Sequence, residues 1–152
     1  MADVNTARNR EAHRTLHRWS RTFESIGSQG PTKRAMSAIG VLVVSSTIER
    51  MDKEMSPSGR AHRALTPGYV ARKVADGYSP RIWQRTGESK RKTQVLRSTR
   101  KSVIIAINTP YSGWADTDGR VPRPVLGVDA QDRKAINNIL TRDLKQQIDK
   151  GT

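Results

Sequence analysis

Prolines and glycines crowd the stretch from residue 109 to residue 128, and they constrain the fold more than any other feature of the sequence. No regular helix or strand runs through so many of them, because proline lacks an N–H donor and glycine leaves its backbone unrestrained. Residues 102–108, just before the stretch, read Ser-Val-Ile-Ile-Ala-Ile-Asn and predict a strand. The breakers are Pro110, Gly113, Gly119, Pro122, Pro124 and Gly127. We therefore expect a strand followed by an extended loop that packs on another surface.

A capped helix is predicted after this loop. Asp129 is a suitable N-cap, and Asp132 follows three residues later, which is close to the spacing of a capping box. Apolar residues then recur every fourth position, with Ile139 beside them, and predict a helix over residues 129–149. The recurring residues are Ile136, Leu140, Leu144 and Ile148.

Residues 31–55 are compatible with a helix or a strand. The β-branched residues between Gly40 and Ile48 favour a strand. An apolar stripe at helical spacing continues for about five turns, longer than most strands, and Pro31 suits a first helical turn. We therefore predict a helix. Its stripe is Val41, Val44, Ile48, Met51 and Met55, broadened by Ala35, Ile39 and Leu42.

A shorter helix and a hairpin are expected between these two helices. The helix begins at Thr66-Pro67 and ends at Gly77. Its apolar face is Val70, Ala71 and Val74. Residues 95–96 and 102–108 are strand material, joined by a turn at residues 98–101.

The predicted fold class is α+β, with a small antiparallel sheet of three to four strands. The sheet packs against the long helix at 31–55 and the C-terminal helix, so that residues 31–152 form one domain. Residues 1–30 are predicted to form a helical N-terminal arm that ends where Gly and Pro break the chain. The apolar stripe of this arm is Leu16, Trp19, Phe23 and Ile26.

The charge of the chain is strongly positive, with 28 Lys and Arg against 14 Asp and Glu and a formal net charge of +14. Residues 51–100 alone hold 12 basic and 4 acidic residues. Such a field attracts nucleic acid, anionic membranes or acidic protein surfaces, and charge alone does not choose among them. The densest cations, called the basic patch below, are Lys90, Arg91, Lys92, Arg97, Arg100 and Lys101.

Arginines around tryptophan raise a second hypothesis, a small basic nucleic-acid-binding protein. Trp83 lies between Arg81 and Arg85, and such rings can stack on bases while the guanidinium groups hold phosphates. The same pattern arises when a tryptophan anchors the core and its neighbours face water. Both interpretations of Trp83 are open at this level.

No catalytic or metal-binding constellation emerges from the sequence. There is no cysteine, and although His13 and His17 have the spacing of a shared metal site, Arg14 stands where metalloproteases place glutamate. Ser98 and Lys101 match a nucleophile motif without its companions. The longest apolar run, residues 39–44, is too short to span a bilayer. We therefore expect a soluble protein that is not an enzyme, binds no cofactor, and acts where it is made. A toxin or an RNA-cleaving enzyme is the least favoured alternative, because no acid–base pair is found.

Short motifs recur in a defined order between residues 47 and 144. Ile48-Glu-Arg50 leads into the loop Ser56-Pro-Ser-Gly59, and Leu65-Thr-Pro67 opens a short basic helix. Thr86-Gly87 precedes the first strand, and Ile107-Asn-Thr-Pro-Tyr111 ends the second.

Two further motifs complete the series, Val121-Pro-Arg-Pro-Val-Leu-Gly127 and Asp129-Ala-Gln-Asp-Arg133. In this order and spacing the motifs resemble the phage virion morphogenesis family, the tail-completion proteins of Mu-like and related tailed phages. The chain departs from the family pattern at Val125, where the family has an aromatic residue. One fewer residue also separates Val121-Pro122 from the Arg-Pro step.

The resemblance implies a structural virion protein, a tail terminator or completion subunit that forms a hexameric ring at the head-proximal end of the tail. It implies contacts with further copies of the chain, with tail tube and sheath proteins and with neck or connector proteins, while genomic DNA passes through the ring. The expected location is the head–tail junction of the virion, after assembly in the host cytoplasm. The expected interface residues are Tyr111, Arg123, Pro124, Leu126 and Gly127, with Trp19 and Phe23 of the arm. The basic patch would meet acidic protein surfaces or line the DNA path.

Overall fold

The computed structural model describes residues 30–109 and 121–151. Residues 1–29 of the predicted arm, including Trp19 and Phe23, lie outside the described residues. The same holds for the predicted interface residue Tyr111. The helices and strands are α1 (Lys33–Lys53), α2 (Pro67–Ala75), α3 (Glu88–Arg91), β1 (Thr93–Ser98), β2 (Val103–Ile107) and α4 (Ala130–Gly151). This arrangement confirms the α+β class.

The sheet has two antiparallel strands in the described ranges, so the prediction of three to four strands was wrong for this part of the chain. Residues 80–92, which precede the predicted strands, form turns and the single-turn helix α3 and add no strand. Gly87 precedes α3 with a φ of 71°, a conformation that a strand does not adopt. The hairpin itself, with its turn between Ser98 and Val103, is confirmed.

Helix α1 forms over the segment for which helix and strand competed. Thr32 caps its start, with the side-chain oxygen accepting from the Ala35 N–H at 3.1 Å, and Glu54 ends it in the left-handed conformation. The predicted stripe was right only in part. Ala35 and Met51 are buried as expected, whereas Val41 is 63% exposed. Gly40, Val43, Thr47 and Arg50 complete the buried face.

Small side chains on α1 let the hairpin approach closely. A Cβ on Gly40 would lie 2.8 Å from Val95 Cγ2 and 3.0 Å from Val103 Cγ1, so glycine is needed for this contact. The Ser37 hydroxyl donates to the Ser98 hydroxyl oxygen at 3.2 Å near the hairpin tip. The hairpin therefore lies against α1 along both strands.

Helix α4 packs antiparallel to α1. Asp143, late in α4, accepts from the Thr32 hydroxyl at 2.5 Å and from the Thr32 backbone N–H at 3.0 Å. At the other end, the Ser46 hydroxyl donates to Asp132. The apolar stripe of α4 is only partly covered, since Leu144 remains 43% exposed.

Helix α2 has the predicted bounds and a different buried face. It begins after Thr66 and is followed by Gly77 at a φ of 76°. Lys73 is the buried residue of α2, and its Nζ donates to the Arg81 carbonyl at 2.8 Å. Val74, which was expected on the apolar face, is 54% exposed. The expectation failed because the buried contact of this helix is made by Lys73, whose ammonium is hydrogen-bonded to Arg81, and not by an apolar stripe.

The core centres on Met51 of α1, Ile107 of β2 and Val125, with Trp83 and Leu126 packed against it. Val125 is fully buried at the position where the family pattern has an aromatic residue. Trp83 supplies an aromatic ring to the same cluster from the turn before α3. The backbone of Trp83 has a φ of 59°, a conformation that is unfavourable for non-glycine residues. The packing of the indole ring on the core stabilises it.

Candidate functional site

Arg50, in the last turn of α1, holds three segments of the chain together. The residue is 6% exposed. Its guanidinium makes five hydrogen bonds, which we call the arginine clamp. The acceptors are Val125 O at 3.0 Å, Gly127 O at 2.8 Å, Asp129 Oδ2 at 3.1 Å, Asp132 Oδ2 at 2.9 Å and Thr47 Oγ1 at 3.4 Å. All five N–H donors of the guanidinium are therefore used.

The two aspartates of the clamp are fixed by the start of α4. The Asp132 N–H donates to Asp129 Oδ1 at 2.7 Å, and the Asp129 N–H donates to Asp132 Oδ2 at 3.2 Å. The predicted capping box is thus confirmed. It places both carboxylates opposite Arg50, so the same residues that begin the helix also neutralise the buried guanidinium.

The environment of Asp132 lowers its pKa. Burial alone raises this pKa, but the Ser46 hydroxyl, the Arg50 guanidinium and the Asp129 N–H donate to the carboxylate and, with the Arg50 charge, outweigh burial. The pKa of Asp143 is also lowered: burial raises it, and the hydrogen bonds from Thr32 and Gln147 together with the charge of Lys150 outweigh that effect. Both carboxylates are ionised at neutral pH, so the contacts between α1 and α4 depend on their charge.

Acid is expected to weaken the helix pair. Because the folded pKa values of Asp132 and Asp143 lie below the ordinary value of 3.8, their contribution is present above that value and is lost as pH falls through the folded pKa. Urea unfolding at pH 7 and pH 3 measures this loss. Asp132→Asn should be less stable at pH 7 and lose less stability between the two pH values. An unchanged pH dependence in the variant would contradict the assignment.

The segment Val121–Val128, called the proline loop, is held by contacts at both ends. The Arg123 guanidinium donates to the Arg63 carbonyl at 3.3 Å, and the Arg123 carbonyl accepts from Trp83 Nε1 at 3.1 Å. Gly127 has a φ of 152°, and a Cβ there would lie 2.8 Å from Pro57 Cγ. The Ser56-Pro-Ser-Gly59 loop therefore packs directly on the proline loop, and glycine permits the contact.

The predicted interface residues of the described chain all lie in the proline loop. Arg123 and Pro124 are half-buried, Leu126 packs against the core, and the Gly127 carbonyl belongs to the arginine clamp. The structure fixes the path of this loop from inside the subunit. The contact of these residues with another subunit stays a prediction, as do those of Trp19, Phe23 and Tyr111 beyond the described ranges.

The basic patch divides into two groups. Lys90, Arg91 and Lys92 lie at the end of α3, before β1, whereas Arg97, Arg100 and Lys101 lie around the hairpin tip. A strand as long as β1 separates the groups by roughly 20 Å. Lys90 pairs with Asp52 and is half-buried, so it contributes less to the surface charge than its neighbours Arg91 and Lys92, which are exposed.

The tryptophan pattern at residues 81–85 has an intramolecular explanation. Trp83 packs on the core and donates to the Arg123 carbonyl. Arg81 Nε lies 3.5 Å from Glu54 Oε1, and the Arg85 guanidinium lies 4.4 Å from the centre of the Tyr78 ring. Of the two interpretations of Trp83, the structure supports the core anchor.

Two further properties concern only residues 30–109 and 121–151. No group of three or more His, Asp or Glu side chains in these ranges is arranged to hold a metal ion. No helix within them is long and apolar enough to cross a membrane.

Sequence reasoning missed Arg50 as the centre of the site. The signal was present, because Val43, Thr47 and Arg50 follow helical spacing and place a charged residue on the buried face of α1. A buried arginine needs acidic partners, and the Asp129–Asp132 pair was already predicted at one helix end. Combining these two observations would have predicted the clamp. Lys73 carried no comparable signal.

Fold and site together define a small α+β protein in which one buried arginine fixes an irregular surface loop. The model of the phage virion morphogenesis family matches residues 10–145. The chain belongs to this family, and the resemblance noted from residues 47–144 is confirmed over a longer range. Family membership indicates a structural or assembly role in the virion. Comparison with curated proteins and with solved structures gave no match.

Proposed function

We propose that the chain is a tail-completion subunit that forms a closed ring at the head-proximal end of a phage tail, where the head joins. The observation that carries this proposal is the family match over residues 10–145. The subunit would act by contact rather than by chemistry. The charged groups of the arginine clamp support this view, because they pair with one another and hold the fold together.

The distribution of apolar residues supports an assembled state. Among the described residues, six hydrophobic side chains are buried in the core, whereas seven large ones are exposed. Covering these exposed side chains with neighbouring subunits would add to the stability of an assembly. The exposed residues are Val41, Tyr69, Val74, Leu96, Ile104, Val128 and Leu144.

The proline loop is suited to a contact between subunits. Irregular loops vary in conformation unless contacts hold them. A ring repeats one heterologous contact, and it closes only if the angle between neighbouring subunits is the same at every contact. The arginine clamp holds this loop through Val125 O and Gly127 O, while Val128, at its end, is 39% exposed. The loop thus presents a fixed shape together with exposed apolar surface, and we assign it to the ring contact.

Charge reversal in the α3 group of the basic patch should impair assembly. Arg91→Glu with Lys92→Glu replaces two exposed cations and spares the Lys90–Asp52 pair. We expect infectivity restored from a plasmid copy to fall about tenfold or more, since complementary charges steer docking. Lys134→Glu with Lys145→Glu, both on the exposed side of α4, gives the same change in net charge. Equal effects of the two double variants would show that only total charge matters.

The ring itself is tested with purified protein. Native mass spectrometry and electron microscopy should find a closed oligomer, free or seated at one end of purified tails. A monomer that binds short duplex DNA at moderate salt and ignores tails would support the alternative, a nucleic-acid-binding protein, for which the net charge of +14 is the supporting observation.

A further inference from the structure

An irregularity in β1 turns two consecutive side chains outward. Along a regular strand, neighbouring residues face opposite sides of the sheet. Here the register shifts between Val95 and Arg97, which marks a β-bulge. Val95 lies against Gly40, and Ser98 accepts from Ser37, so both face α1. Leu96 and Arg97, between them, are both exposed.

The outward residues form a mixed apolar and cationic surface with Ile104. Ile104 pairs with Arg97 across the hairpin, and paired residues share one face of a sheet. Leu96 is 53% exposed and Ile104 is 48% exposed. Lys101, in the turn beyond, is also exposed. We call Leu96, Arg97 and Ile104 the hairpin face.

We propose that the hairpin face docks an acidic protein surface with an apolar centre, carried by a different virion protein. The inference rests on the proposed function for one point, that the partner is a virion protein. Leu96 and Ile104 would fill the centre of the contact, where apolar groups lose water, while Arg97 and Lys101 would meet carboxylates at its rim. Bulges commonly re-aim side chains at binding sites, which is the effect observed here.

The chemistry of the face argues for a protein rather than DNA. Phosphates would satisfy Arg97 and Lys101, but a sugar-phosphate backbone offers little that would cover two exposed aliphatic side chains. The charge of the hairpin argues against pairing with the same face of a second copy. Such a contact would bring Arg97 and Lys101 of one copy against the same cations of the other, so this surface gains more from an acidic neighbour.

The test uses the purified subunit together with separated heads and tails. These particles are taken from a lysate of the phage that encodes the chain, with the gene for this protein interrupted. Binding is measured by co-sedimentation at increasing salt. Leu96→Thr with Ile104→Thr removes apolar surface and keeps residues that favour strands. Arg97→Glu with Lys101→Glu reverses the charge. Lys134→Glu with Lys145→Glu is the matched control for the change in charge, because these exposed lysines lie on α4 rather than on the hairpin.

Wild type and control should bind one of the two particles, and both hairpin variants should bind about tenfold or more weakly with their oligomeric state unchanged. Wild-type affinity should also fall with salt. Three results would overturn the inference: normal binding by the Leu96–Ile104 variant, loss of the oligomer in that variant, or a charge variant impaired only in binding short duplex DNA. Wild type that binds neither particle would sink the proposed function as well.

Discussion

Replacing Arg50 with alanine is expected to lower the free energy of unfolding by about 3–5 kcal/mol, a large share of the roughly 5–15 kcal/mol that stabilises a typical domain. The variant leaves Asp132, which is 3% exposed, buried without its cationic partner. It also removes the donors that hold the carbonyls of Val125 and Gly127. The proline loop should therefore loosen together with the junction of α1 and α4.

Urea unfolding followed by circular dichroism measures the change, with Lys53→Ala as the control. Lys53 lies in the same turn of α1, but its side chain is 60% exposed and its pair with Glu49 is a surface one, so its loss should change stability little. Arg50→Lys should rescue only part of the loss, because an ammonium cannot reproduce the five-donor fork of the guanidinium. An Arg50→Ala protein as stable as Lys53→Ala would rule out the clamp as a structural centre.

Replacing Gly127 with valine should destabilise the protein by a comparable amount. The new Cβ would lie 2.8 Å from Pro57 Cγ and 2.9 Å from Pro57 Cβ, and a proline ring cannot swing aside as a flexible side chain could. The φ of 152° adds backbone strain for a β-branched residue. Overpacking and strain together predict a cost of about 2–5 kcal/mol.

Gly68→Ala is the control for this substitution. Gly68 lies in α2 without a positive φ, and a Cβ added there would meet no atom within 4 Å, so alanine should be neutral or slightly stabilising. Thermal unfolding of both variants gives the comparison. If Gly127→Val melts at the wild-type temperature, the loop has another path available, and its packing on Pro57 does not fix it. Such a result would also weaken the assignment of the loop to a ring contact.

The elements that depend on local signals were predictable from the sequence. Persistent helical spacing decided α1 against a strand, and the pair Asp129 and Asp132 located the start of α4. The hairpin followed from the β-branched run at residues 102–108 and the polar turn before it. In each case the residues that specify the element lie within the element itself, so no knowledge of its neighbours was needed.

The parts that failed depend on contacts distant in sequence. The buried face of α1 was predicted only in part, because Gly40 and Thr47 are not large apolar residues. Gly40 is buried because it lets the hairpin approach closely, and Thr47 can be buried because its hydroxyl donates to the Val43 carbonyl at 2.8 Å. The bulge after Val95 has no local sequence signature. Lys73 is buried although burial and the charge of Arg85 lower its pKa, because Arg81 supplies an acceptor. Composition alone predicts none of these.

The candidate site was predicted in outline only. The proline loop was identified from its breakers and from the family motifs, but the reason for its fixed path was not. That reason connects Arg50 with carbonyls 75 and 77 residues further along the chain. It explains why the motif at Ile48-Glu-Arg50 and the motif that ends in Gly127 occur together, since the Arg50 side chain joins them.

Electron microscopy of lysates tests the central claim most directly. The gene would be interrupted in the phage genome that encodes the chain, and particles would be compared with those restored by a plasmid copy. A tail-completion role predicts DNA-filled heads lying beside separate tails, with joined particles returning on complementation; abnormal tail lengths would specify termination. Intact, joined, infectious particles in the absence of the protein would contradict the account.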